Sequence, residues 1–175
     1  VNAEVQSLPH FLQGLGYRVA LAGKRHVKPQ ENFPFDYLPG KVPALEDWIG
    51  KAPDEPFCAV FASHNPHGPY PKKTDYDPDR LSFPPHFVDT PEARERRARY
   101  LQEVTFLDNE VGACREVLAR CGVLDRTLFL YTSEQGSGFP GEKWTCYDAG
   151  LRVGFVARWP DVVPAGSVSH AMVQY

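Results

Sequence analysis

No apolar run in this sequence approaches the length of a bilayer span, so no membrane-crossing helix is expected. There is no excess of positive charge. The 19 Lys and Arg against 22 Asp and Glu leave a formal charge of -3, which removes the electrostatic case for nucleic acid and makes any basic site a local one. None of the four cysteines, Cys58, Cys114, Cys121 and Cys146, forms a CxxC pair, and no Cys/His spacing resembles a zinc site. Cys114 and Cys121 lie seven apart on an expected helix. That is roughly 10 Å of rise, too far for a disulfide, so mostly buried free thiols are expected. There is no internal repeat, no low-complexity linker and no glycine fingerprint for a dinucleotide or a nucleotide phosphate. The start, Val1-Asn2-Ala3, is neither an initiator Met nor a signal peptide, which leaves the compartment unknown.

What is present suits one domain with a real core. The chain has 175 residues, 42% hydrophobic and 23% charged, and 17 prolines imply many loops of fixed geometry. Two apolar runs read as strands. Phe57 to Ala62 (FCAVFA) has the continuous hydrophobicity of a central strand, and Leu128 to Tyr131 reads as a second buried strand. Tyr17 to Ala22 reads as a short strand, and Val153 to Ala157 as a further one. Val5, Leu8, Leu12 and Leu15 fit one face of a helix ending at Gly16, with Pro9 counting against its start.

Gln30 to Pro43 reads as irregular, and Ala44 to Ile49 as a short helix with Trp48 inward. Lys72 to Asp89 reads as an ordered excursion bordering a cleft. The clearest helix runs from N-cap Thr90 and Pro91 to Gly122. Its stripe is Leu101, Val104, Leu107, Val111, Cys114, Leu118 and Cys121. Arg94, Arg96, Arg97 and Arg99 read as a solvated face, Asp108 as a buried hydrogen-bonding residue and His86 as structural or exposed.

Three loops carry the residues of chemical interest. Gly23-Lys24-Arg25-His26 follows a strand and presents two donors to one anion, or forms a solvated basic turn. Ser63-His64-Asn65-Pro66-His67-Gly68-Pro69-Tyr70 sets two histidines among prolines at a strand end, where imidazole can exchange protons near neutral pH. Ser133-Glu134-Gln135-Gly136 places an acid and an amide just past a strand, and a Gly/Pro-rich loop then leads to Lys143. Such strand ends hold the ligands of open α/β sheets, and an acceptor pair beside a cation suits a metal ion with an anion. A polar loop after a core strand is the other reading.

Taken in order, GYRVALAGKRH, ASHNPHGPY, LDNEVG, TSEQGSGFPGEKWTCYDAGLRV and ARWPDVVPAG resemble the sulfatase family of the alkaline-phosphatase-like superfamily, from about Leu12 to Tyr175. They look most like the bacterial branch similar to heparan N-sulfatase (sulfoglucosamine sulfohydrolase). The resemblance implies an α/β fold with an alkaline-phosphatase-like central sheet flanked by helices. It implies a hydrolase of sulfate esters or sulfamates on sugars, with a sulfated carbohydrate or aryl sulfate as partner.

By the same resemblance, Lys24 and Lys143 bind the sulfate, and His64 joins them on the substrate side. His26 contacts a formylglycine nucleophile, and His67 protonates the leaving group. Glu134 and Gln135 ligate Ca2+, each one methylene longer than the family's Asp-Asn or Asp-His pair. Arg25 stands where the family often has Trp. No cysteine here has Pro two and Arg four residues later, and the family's N-terminal aspartate pair has no match. The expectation is therefore that residues 1–175 form part of one sulfatase catalytic domain, with the nucleophile segment upstream and a C-terminal subdomain downstream. A phosphodiesterase or phosphonate hydrolase of the same superfamily is one alternative. A sulfated-glycan-binding homologue without activity is the other.

Overall fold

The computed structural model describes residues 2 and 4–172. The chain divides into two compact units, Val1–Gly122 and Val123–Tyr175.

The first unit is organised on a parallel sheet. Helix α1 (Leu8–Gly14) leads into β1 (Arg18–Gly23). An irregular stretch with one 3-10 turn follows, then β2 (Asp36–Leu38), α2 (Val42–Gly50), β3 (Phe57–Ala62), a long excursion and α3 (Pro91–Arg120). The strand order is β2-β1-β3, with both pairings parallel. β1 is therefore the central strand of this sheet, and Val19 to Ala22 are its most deeply buried run. FCAVFA was the expected centre. It lies at an edge of the sheet and is only half-buried along its length. β2 lies inside the stretch expected to be irregular. Three residues hold too little periodicity to announce a strand, and only pairing with Ala20 to Ala22 makes Asp36 to Leu38 one.

α2 packs on β1, β3 and α3 through Leu45, Trp48 and Ile49. Arg18 locks β1 to the end of that helix. Its Nη1 donates to the Trp48 carbonyl at 3.0 Å and its Nη2 to that of Ala52 at 2.9 Å, while the guanidinium lies 4.3 Å from the Trp48 ring centroid. A cation satisfying the last carbonyls of a helix is favoured by both hydrogen bonding and the helix dipole. Arg18 Nε is 3.2 Å from Glu55 Oε2 but makes no hydrogen bond, so that pair is a coulombic contact.

Two expectations for the helices need correction. α1 begins at Leu8 with Pro9 in its first turn, where a missing N–H costs nothing. Pro9 is buried, whereas Val5, Leu8 and Leu15, expected on the packed face, are exposed. In α3, capped as expected by Thr90 Oγ1 accepting the Ala93 N–H at 3.2 Å, Asp108 is exposed rather than buried. The arginine face is not simply solvated. Arg94 binds Asp89 and the carbonyls of Pro78 and Leu81, and Arg97 lies over the Phe87 and Tyr100 rings. With Thr74 Oγ1 donating to the Ala98 carbonyl and the Asp75 N–H to Gln102 Oε1, these contacts strap the excursion onto α3.

The second unit holds β4 (Phe129–Thr132), α4 (Asp148–Leu151) and β5 (Phe155–Arg158). β4 and β5 form an antiparallel pair. The Leu128 run is thus a strand, but not a buried one: Leu130 is 51% exposed. Its described partner is antiparallel, so the carboxyl-edge argument from parallel sheets does not apply to it here. The cysteines are free thiols, but not the mostly buried ones expected: Cys146 is exposed and the other three are half-buried.

All three strand ends of the first unit crowd at Gly23. Its φ is +95°, and a Cβ there would stand 2.1 Å from the Ala62 carbonyl oxygen. A Cβ on Gly40 would meet Gly23 Cα at 3.3 Å. Gly23→Ala is expected to destabilise the protein by roughly 2–4 kcal/mol, overpacking adding to a backbone that L-residues avoid. Denaturant unfolding checks this, and an unchanged midpoint would contradict the close approach.

Candidate functional site

The crowding at Gly23 brings two of the three loops of interest to one rim. β1 and β3 run parallel in the register Gly23↔Ala62, and the Lys24 N–H donates to the Ala62 carbonyl at 2.7 Å. The loop carrying Lys24 and His26 and the loop carrying His64 and His67 therefore leave adjacent strands at the same end. Lys24 is half-buried, while His26, His64 and His67 are exposed. Arg25 turns back along β2. Its Nη2 donates to the Leu38 carbonyl at 3.1 Å, and its guanidinium sits 4.9 Å from the Tyr37 ring centroid. A guanidinium this close to an aromatic ring makes a favourable cation–π contact.

The histidine loop is held from below by a pair that the residue reading did not single out. Ser63 Oγ donates to Glu110 Oε2 on α3 at 2.5 Å and accepts the Asn65 N–H at 2.9 Å. The His67 N–H then donates to the His64 carbonyl at 2.9 Å. His67 Nδ1 donates to the Gly68 carbonyl at 2.7 Å, which leaves Nε2 as the ring nitrogen not engaged by that bond. The signal for Glu110 was an acid set between Leu107 and Val111 on the apolar stripe of α3. Ser63→Ala is expected to strand part of the Glu110 carboxylate, costing about 1–3 kcal/mol of stability. It also frees the Asn65 N–H, so faster amide exchange across residues 64–68 is the measurement that separates loop anchoring from general destabilisation.

Glu103, on the same helix, is buried, and burial with the Glu110 carboxylate pushes its pKa above the ordinary carboxylate range. The folded state then holds the proton more tightly than the unfolded chain. The stability this contributes is full at low pH and is lost as pH rises through the raised value. Glu103→Gln is expected to raise the melting temperature at neutral pH and leave it unchanged near about pH 3, well below the unfolded value, where both states carry the proton. Equal effects at the two pH values would count against it.

The third loop, in the second unit, is built on two glycines and a buried acid. A Cβ on Gly136 would stand 2.1 Å from the Ala149 carbonyl oxygen, and one on Gly150 2.5 Å from those of Glu142 and Thr145. The buried Glu142 carboxylate accepts the Ser137 N–H at 3.0 Å and the Ser137 hydroxyl. The Lys143 N–H donates to the Ser137 carbonyl at 2.9 Å. Lys143 thus leaves a knotted loop whose backbone is tied on both sides. The next residue, Trp144, has φ +67°, and its indole is 91% exposed. Holding a bulky side chain in left-handed backbone costs of order 1–3 kcal/mol.

Glu134 and Gln135 sit between two anchors, the Ser133 N–H on the Gly154 carbonyl and the Gly136 N–H on that of Gly150. A carboxylate and an amide oxygen are the donors a hard cation takes, but Ca2+ requires six to eight oxygens. Among the described residues no cluster of three or more His, Cys, Asp or Glu could hold a metal. The donor chemistry therefore fits Ca2+ as part of a ligand set.

With this arrangement in view, the comparisons with known proteins are decisive. The Sulfatase family model matches residues 41–174. The chain belongs to the sulfatase family. It is 30% identical to an ulvan-active sulfatase of Formosa agariphila, over 99% of this chain and 37% of that protein. It is 28% identical to the N-sulphoglucosamine sulphohydrolase of Homo sapiens, over 97% of this chain and 42% of that one. The sulfatase chain thus spans well under half the length of these relatives.

Among solved structures, Ps i-CgsB in complex with k-i-k-neocarrahexaose matches with a TM-score of 0.59 at 19% identity, covering 95% of this chain and 50% of that one. The likeness supports the alkaline-phosphatase-like α/β fold expected for a sulfatase.

Proposed function

We propose that residues 1–175 form part of one sulfatase catalytic domain, and that the full-length protein carrying them hydrolyses sulfate esters or sulfamates on sugars. The observation that carries this reading is the β1–β3 register, which sends the Lys24–His26 and His64–His67 loops from one sheet rim in a chain of the sulfatase family. Relatives named for ulvan and for N-sulphoglucosamine support a sulfated sugar as substrate class.

In this proposal Lys24 binds sulfate oxygens, where negative charge gathers during sulfuryl transfer, and the resemblance gives Lys143 a sulfate-binding role as well. His64 adds a donor on the substrate side. His67 gives a proton from Nε2 to the leaving alkoxide or amine, which is too basic to depart unassisted. His26 would exchange a proton with a formylglycine nucleophile, a group the resemblance implies for the longer protein. Glu134 and Gln135 would supply oxygens to Ca2+, and a bound divalent ion would add Lewis-acid stabilisation of the developing charge.

Sulfate release by the full-length protein tests the proposal, with sulfated glucosamines, sulfated galactosamines and a phosphodiester offered side by side. Release from a sulfated sugar in preference to phosphodiester cleavage is expected. Phosphodiester cleavage alone, or sugar-sulfate binding without turnover, would overturn it.

A further inference from the structure

We propose that Trp144 is a saccharide-stacking platform, forming with Lys143 a subsite for the sulfated sugar residue itself. This rests on the sulfate-binding role proposed for Lys143.

Three features of the loop converge on it. The Trp144 indole is 91% exposed, so it adds almost nothing to the packing of its own unit. Its backbone is left-handed at φ +67°, a conformation a bulky residue avoids and glycine takes freely. Such outliers persist where the surrounding structure enforces them, and they gather at ligand sites. The enforcement is visible on both sides. The Lys143 N–H is held by the Ser137 carbonyl at 2.9 Å, and the Thr145 N–H by that of Glu142 at 3.1 Å. Thr145 Oγ1 also donates to the Glu142 carbonyl at 2.6 Å. An indole is thereby displayed at a fixed position although both exposure and backbone disfavour it there.

The third feature is the neighbour. Lys143 Nζ stands 5.2 Å from the indole ring centroid. In a sulfated sugar the sulfur is joined to the pyranose through a single oxygen or nitrogen. One such residue therefore spans the distance between an ammonium gripping its sulfate and an indole meeting its ring. The apolar C–H face of the pyranose removes exposed indole surface from water, while the ammonium keeps a charge partner in the sulfate. Inorganic sulfate, which lacks the ring, engages the ammonium and not the indole. The subsite therefore discriminates sugar sulfates from the bare anion, a distinction no cation makes by itself.

The test uses the full-length protein with Trp144→Ala, Trp144→Phe and Trp144→Gly. KM for a sulfated monosaccharide is compared with Ki for inorganic sulfate. Trp144→Ala is expected to raise KM about tenfold and leave the sulfate Ki within about twofold, because stacking is lost and the ammonium stays. Trp144→Phe is expected to recover most of the loss. Trp144→Gly is expected to match Trp144→Ala in KM and to melt at or above the wild-type temperature, because it relieves the backbone.

An unchanged KM in Trp144→Ala would overturn the proposal. So would a rise in sulfate Ki equal to the rise in KM, which would make the indole only a prop for Lys143. Loss of stability in Trp144→Gly would likewise mark a structural residue. Wild-type protein that binds the sugar sulfate in equilibrium dialysis without turning it over defeats the enzymatic reading alone. The Trp144→Ala comparison is then made on those binding constants. Wild-type protein that binds neither probe defeats both.

Discussion

Alanine in place of Lys143 or of Lys24 is expected to lower kcat/KM of the full-length protein for a sulfated sugar by about 10²–10³-fold each. Sulfuryl transfer builds charge on oxygens that water would otherwise have to reorient to stabilise. An ammonium held in place before the reaction avoids that reorganisation. The backbone of both lysines is anchored. Lys24 follows a glycine wedged against β3, with its N–H on the Ala62 carbonyl, and Lys143 follows a buried acid, with its N–H on the Ser137 carbonyl. Arginine is not expected to restore either site, because a planar fork does not occupy the space of a compact point charge. Steady-state kinetics with Ki for inorganic sulfate measures this. A loss below about threefold in both variants would remove the lysines from the mechanism.

The second large effect concerns His67. His67→Ala is expected to lower kcat by about 10²–10⁴-fold for a sugar sulfate, the usual range for a lost general acid. The loss should shrink steeply for an aryl sulfate whose phenolate leaves without a proton. This dependence on the leaving group separates proton donation from mere binding, since a binding role would cost both substrates alike. The geometry makes the assignment specific to one atom. Nδ1 donates to the Gly68 carbonyl, so in the proposed mechanism the proton passes through Nε2. A His67→Ala protein that loses the same factor on good and poor leaving groups would refute the acid role.

How much was legible before the structure depended on the kind of signal. The extent of α3 was readable because its cap, its terminator and its stripe are all local. β3 was bounded correctly at Phe57–Ala62 by its flanking polar residues, yet its place in the sheet was misjudged. Hydrophobicity reports that a strand is buried, not which neighbours it has. β2 was missed for the converse reason, since its strand character comes from a partner distant in sequence. The Lys24, His26, His64, His67 and Lys143 candidates stood out as donors and proton carriers in loops after apolar strands, and the resemblance gave each its expected role.

The residues that support these candidates were not found. Ser63 and Glu110 are 47 positions apart and meet only because α3 lies against the end of β3. Glu142 reads as one more charged loop residue until its burial against Ser137 is seen. Trp144 reads as an ordinary aromatic until its backbone angle and exposure are known.

By itself, the sequence determined the family, the identity of the polar side chains and the glycines that permit close approach. These depend on residue type and short-range spacing, which a one-dimensional string contains in full. Only the tertiary structure decided that β1 is the central strand, that two of the loops leave one rim, and that a serine–glutamate pair holds the histidine loop. Those facts arise from strand pairing and helix docking between segments far apart in the chain. Their energies depend on which surfaces meet, and no local pattern of residues encodes that.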